Sequence, residues 1–348
     1  MKRNMIRNIS YGLIVVIMFT TLSGCGSDYR QYLKDYDEFQ EYKAYKESLQ
    51  TPETVGDTIE YSVSANDVSE PSSLEQSPKS VSDNNLSTIY ELVAQRNEVY
   101  SWDNTFEKTM KINELDRKIL EAGYYDFSGI TADFIGDSIT EGVGGDLDTE
   151  GNKISFVNYV NQELQFQDVL NHGKAGRTIA DHNNPELSIA RNETNLLNLD
   201  SQIIVIYAGI NDYLSPDEIK IYGSLDSGST SGYCGQLQEL TKSLENNYPD
   251  KDYFFITSYQ ILTTDTSIYK DFEGTATLND FMEPQRILAA RNGYRIIELY
   301  NTGFMSMEDE DTITNLFADS IHPNNEGYRI LGEHVAAEIL LYYLGIQP

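Results

Sequence analysis

Cysteine is almost missing: Cys25 and Cys234 are the only two in 348 residues. A disulfide framework is therefore excluded, and with no CxxC pair and no Cys/His cluster there is no sequence basis for a structural zinc site. Basic residues are also scarce, 25 against 55 acidic, for a formal charge of -30. Without a basic patch the chain is not expected to bind nucleic acid, and its surface should repel anionic lipid. Histidine occurs four times; His172 and His182 lie near each other but at a spacing that matches no known metal site. Long apolar runs are missing too. The one unbroken run, Leu13 to Phe19, is shorter than the ~20 residues a membrane-spanning helix needs.

That run has a place of its own. Lys2, Arg3 and Arg7 precede it, and Leu22-Ser23-Gly24-Cys25 follows it. A basic n-region and a short apolar h-region are the marks of a secretory signal. The tetrapeptide resembles the lipobox of bacterial lipoproteins, which implies cleavage before Cys25 and acylation of its thiol; the other reading is an uncleaved anchor with an incidental cysteine. Two or more acyl chains hold a protein on a membrane, at ~0.8 kcal/mol for each buried methylene. The expectation is a signal peptide over 1–24 and a lipid anchor at Cys25, facing the extracytoplasmic side. Cys234, left alone, is read as a small apolar core residue.

Residues 28–49 carry aromatic and leucine side chains every three or four positions, as in an amphipathic helix with a tyrosine stripe. A spacer or a partner-binding helix both fit. From Thr51 to Asn85 the chain is rich in Ser, Asp, Glu and Pro and poor in large apolar residues, a composition that cannot offset the entropy of ordering. The segment 25–85 is thus read as a tether. A helical segment follows over 86–128, with one or two helices expected to pack on the domain behind it.

From residue 129 to 348 short apolar runs alternate with helical periodicity. The expected strands are 131–135, 168–170, 202–207, 253–257 and 295–299; helices are expected near 154–165, 185–198, 235–246, 278–290 and 326–344. That alternation predicts an α/β fold with a central parallel sheet covered on both faces. Ligands in such sheets bind beyond the carboxyl ends of the strands, so chemistry is sought in the loops there.

Four segments stand out. Gly136-Asp137-Ser138-Ile139 follows the first strand, where Ser138 is either a helix N-cap or a nucleophile beside free helical N–H groups. Asn171 to Thr178, after the second strand, contains Gly173 and Gly176, either of which can aim an N–H at a ligand. Gly209-Ile210-Asn211-Asp212 follows the third strand; the Asn211 amide can donate into a cleft, with Asp212 as a brace, although an ordinary turn reads the same. Asp319-Ser320-Ile321-His322-Pro323 precedes the last helix. There the carboxylate three residues before the imidazole can fix its tautomer, or the two can be a surface pair.

Taken in this order, the four segments resemble the conserved blocks of the GDSL/SGNH hydrolase family, with Ile139 where that name has leucine. The resemblance covers about residues 130 to 346. It implies a three-layer, flavodoxin-like α/β/α fold and metal-free ester hydrolysis or acyl transfer, with no cofactor. It further implies Ser138 as nucleophile, His322 as general base then acid, and Asp319 as orienting carboxylate. The oxyanion donors would be the Ser138 and Gly176 N–H groups and the Asn211 amide. Thr140 stands where the second glycine of an α/β-hydrolase GxSxG elbow would be, so that fold is not expected. The run from Gly142 to Gly145 is not a dinucleotide fingerprint either. The substrate expected is an acylated small molecule or carbohydrate, short acyl esters being favoured because no apolar stretch between the motifs would build a fatty-acyl tunnel. An acyltransferase on a surface glycan, or a non-catalytic binding lipoprotein, are the alternatives.

Overall fold

The computed structural model describes residues 83–346 apart from 183, 215–220, 226–227 and 263–275. The expected signal peptide, Cys25 and the tether lie outside the described residues. Five strands form one parallel sheet: β1 (Thr131–Gly136), β2 (Asp168–Gly173), β3 (Ile203–Tyr207), β4 (Asp252–Ile256) and β5 (Arg295–Ile297). Their order is β2-β1-β3-β4-β5, and every pairing is parallel. The central strands are buried along nearly their whole length because both faces are covered; β3, Ile-Ile-Val-Ile-Tyr, is buried at every position.

The helices are α1 (Asp83–Tyr100), α2 (Phe106–Ala122), α3 (Ser138–Glu141), α4 (Phe156–Leu164), α5 (Ile189–Leu196), α6 (Ile210–Leu214), α7 (Gly232–Asn247), α8 (Leu278–Asn292), α9 (Glu310–Leu316) and α10 (Asn325–Tyr343). Helices α2, α4 and α10 pack together on one side, and α5, α7 and α8 on the other. The architecture is the three-layer α/β/α sandwich, with helices flanking the five-stranded sheet on both sides. Capping residues set the helix starts. Ser155 caps α4 and Thr277 caps α8, each in a reciprocal capping box, and Asn324 caps α10.

Two differences from the sequence reading bear on the site. The second strand runs on to Gly173, so Asn171 and His172 are strand residues rather than loop. Their polarity hid this, since β2 is an edge strand with no fully buried position. The segment around Asn211 is a five-residue helix, too short for a periodicity to register.

The two leading helices are fastened to α10 by a buried ionic group. Arg96 of α1 reaches both Asp116 of α2 and Glu338 of α10, with no side-chain exposure at Arg96 or Asp116. Asp116 also meets His334 Nδ1 at 2.7 Å, and Asn113 donates to Glu333 at 2.7 Å. Burial works against the Arg96 charge, but Glu338, Tyr100 and Asp116 outweigh it and hold the guanidinium protonated. Removing one partner of such a group leaves buried charge uncompensated, which costs ~3–5 kcal/mol. Arg96→Ala should therefore lower the unfolding free energy by about that amount in a urea titration, with little change in the slope m.

Candidate active site

The site begins with the end of β1. The chain leaves the sheet at Gly136, and Asp137 caps α3, accepting the Ile139 N–H at 2.9 Å. Ser138 is thus the first helical residue and not the cap, which removes one of its two sequence readings. Its side chain is held at the carboxyl edge of the sheet and is only 6% exposed.

The opposite wall is the turn before α10. It is closed by an antiparallel bridge between Phe317 and Pro323 and by the Ala318 N–H donating to the His322 carbonyl at 2.8 Å. His322 Nε2 lies 2.9 Å from Ser138 Oγ, and its Nδ1 lies 2.8 Å from Asp319 Oδ2. Asp319 Oδ1 accepts the N–H groups of Ile321 at 2.8 Å and His322 at 2.7 Å. Burial by itself would raise the Asp319 carboxyl, but these three donors hold it below its ordinary value. An ionised Asp319 fixes the proton on Nδ1 and leaves Nε2 able to accept the serine proton.

Gly144 explains the glycine-rich stretch after α3. It has φ +92°, and a Cβ there would run into the Pro323 carbonyl and the His322 side chain. The stretch serves close approach of two loops, with Tyr328 of α10 donating to the Val143 carbonyl at 2.6 Å.

The glycine loop follows β2. At Gly173 a Cβ would collide with the backbone of Thr140 and Glu141, and its N–H already donates to Asn171 Oδ1 at 2.8 Å. Gly176, with φ +78°, is different: its N–H and that of Ser138 have no acceptor among the described residues. Of the two glycines only Gly176 can offer a donor. Glu141 holds the loop by accepting the Ala175 N–H at 2.6 Å. Burial acts to raise the Glu141 carboxyl, but Lys153 at 2.6 Å and the Ala175 N–H bring it below the ordinary value. Neither Glu141 nor Lys153 carried a signal in the sequence, since their partners are set by the loop's path.

Asn211 lies at the start of α6 and donates one N–H to the Arg177 carbonyl at 3.0 Å, which ties the third loop to the second. The two histidines weighed earlier as metal ligands are each paired with a carboxylate: His172 with Asp133 at 3.2 Å, His182 with Asp212 at 2.9 Å. Among the described residues no group of three metal-ligating side chains forms.

A parallel sheet carrying a hydrogen-bonded serine, histidine and aspartate at its carboxyl edge is the arrangement of a serine hydrolase. A model of the GDSL-like lipase/acylhydrolase family matches residues 134–330, more than half of the chain, and the chain belongs to that family of ester hydrolases. No curated protein matches it significantly. Among solved structures, one from Lactobacillus plantarum shares 21% identity over 62% of this chain and 97% of its own, with a TM-score of 0.51. A possible lipase from Chitinophaga pinensis shares 16% over 63% of this chain and 100% of its own, with a TM-score of 0.45. At 21% identity the likeness to the Lactobacillus plantarum structure speaks for the fold alone.

A second carboxylate beside Ser138 behaves in the opposite way to Asp319. Asp137 has no exposure, and its Oδ2 has no partner among the described residues. Burial, with the Asp212 charge adding to it, raises the carboxyl from 3.8 to about 7. A carboxyl raised on folding costs nothing while both states are protonated. Stability is lost as pH rises from the unfolded value near 4 to the folded value near 7, and the loss is constant above. Asp137→Asn removes that dependence. The urea midpoint of the wild type should therefore fall relative to Asp137→Asn between pH 4 and pH 8; a gap that does not change with pH would show that Asp137 ionises freely.

Proposed function

We propose that the chain is a serine esterase of short acyl esters, carried on glycans or wall polymers, and that it is held at the membrane through Cys25. The observation that supports the chemistry most is the Ser138–His322–Asp319 line, with contacts of 2.9 and 2.8 Å. In this reading Ser138 Oγ attacks the acyl carbonyl carbon while its proton passes to His322 Nε2. Negative charge then develops on the carbonyl oxygen, facing the Ser138 and Gly176 N–H groups and the Asn211 amide. Collapse breaks the ester C–O bond, and His322 returns the proton to the leaving alcohol. Water, deprotonated by His322, next attacks the acyl-enzyme and releases the acid and free Ser138. A sugar hydroxyl entering in place of water would make the same site a transferase.

Short acyl chains are favoured in this reading because no apolar stretch between the motifs would line a long channel. The tether rests on Leu22-Ser23-Gly24-Cys25 following a short apolar run. Among the described residues no helix is long and apolar enough to cross a membrane.

Ser138→Ala should lower kcat on p-nitrophenyl acetate by ~10⁴-fold or more while the melting curve is kept, since triad members act as a unit. In the same assay the wild type should show higher kcat/KM on acetyl than on decanoyl esters, and the reverse order would remove the short-acyl reading. For the anchor, Cys25→Ala should leave an unprocessed precursor or release the protein from membrane fractions; normal processing and membrane retention would count against lipidation.

A further inference from the structure

Two of the three proposed oxyanion donors sit on different segments, Gly176 after β2 and Asn211 in α6 after β3. A single buried carboxylate joins those segments. Asp212 has no exposure. Its Oδ2 accepts the Ile179 N–H at 2.8 Å, and its Oδ1 accepts the Ala180 N–H at 2.9 Å and lies 2.9 Å from His182 Nε2. One residue earlier, Asn211 holds the Arg177 carbonyl. Four residues between 177 and 182 are thus gripped by two consecutive residues of α6. Upstream, Ala175 is gripped by Glu141. Gly176 lies between the two held stretches.

We propose that Asp212 is a positioning residue for the oxyanion site: its carboxylate sets the Gly176 N–H and the Asn211 amide in one fixed relation to Ser138 without touching the substrate. The inference rests on the esterase reading above. A carboxylate is suited to the task because it presents only acceptors, and here three donors converge on two oxygens. An asparagine offers one oxygen and turns an N–H₂ toward the remaining donors, so at least one of the three contacts becomes donor against donor. The loop must then shift, and a displacement of about 1 Å in a site of this kind costs ~10²-fold in rate. Ground-state binding is touched little, since the donors matter mainly once charge has developed on the carbonyl oxygen.

The test uses the full chain. Asp212→Asn should lower kcat on p-nitrophenyl acetate by ~10²-fold with KM within about threefold. Combined with Asn211→Ala, it should lose little beyond the larger single loss, because both substitutions disable one element. His182→Gln, whose amide can still donate to Oδ1, should keep most of the activity, and His182→Leu should lose it with the same division between kcat and KM. If Asp212→Asn fails to fold, the His182 pair carries the test. Wild-type kcat per folded molecule in Asp212→Asn, multiplied losses in the double variant, or His182→Leu as active as His182→Gln would each overturn the proposal. Full activity in Ser138→Ala would instead overturn the esterase reading beneath it, so the two failures are separable.

Discussion

The constraint on which the site depends is the parallel register of β1 with its two neighbours. Gly136 lies opposite Gly173 of β2 and opposite Tyr207 of β3. Three strands therefore end at one level, spaced by the ~4.8 Å that backbone hydrogen bonding imposes, and three loops leave the sheet side by side. Ser138, Gly176 and Asn211 are two to four residues beyond those ends. Their proximity follows from the sheet, and side-chain contacts only refine it. The fourth loop, carrying Asp319 and His322, is not a strand end and has to be brought to the others.

That task falls to α10 and what it packs on. The helix starts just after Pro323 and is buried along most of its length, so the imidazole loop is held by a rigid body. The leading helices hold that body from behind through Arg96, Asp116, Glu338 and His334. They also touch the chain upstream of Asp319 directly: the Phe106 N–H donates to Asp309 Oδ2 at 3.0 Å, and the Met305 N–H to Thr109 Oγ1 at 3.1 Å. The helical segment ahead of the sheet is thereby structural support for one wall of the site, which gives a physical reason for it to belong to the same compact unit.

Much of this was legible in the residues. Buried strands such as Ile203–Tyr207 announce themselves because both faces need apolar side chains, and the long helices because one stripe does. Ser138, Asn211, Asp319 and His322 stood out because each sits at a strand end or a turn, but their roles came from the ordered resemblance of the four segments to the GDSL/SGNH family. What stayed hidden depends on where the chain returns. The end of β2 is polar because it lies at an edge. Helices of four or five residues have no period to detect. Gly173 and Gly176 look alike in sequence, and only the path of α3 over Gly173 shows that one makes room while the other has an N–H to offer. Asp212 could be read as a brace, yet the donors at Ile179, Ala180 and His182 appear only once the loop has folded onto α6.

Two carboxylates linked to Ser138 have opposite surroundings. Asp137 is adjacent to Ser138 in sequence and Asp319 is reached through His322, and their surroundings drive them apart. Asp319 keeps a side chain 53% exposed and collects three donors, so it is an anion. Asp137 is sealed, accepting the Ile139 N–H, and burial is the first cause raising it as it is for Tyr207, Tyr259 and Tyr328. The phenols stay neutral. In general, acyl transfer is helped by an anion behind an imidazole, where positive charge develops, and hindered by one close to the carbonyl oxygen, which becomes negative. Opposite environments for similar groups is how a protein assigns different roles to one side-chain type. In a chain with 30 more acidic than basic residues, burial lifts the carboxyl beside Ser138 to about 7, while its donors hold the one behind His322 below its ordinary value.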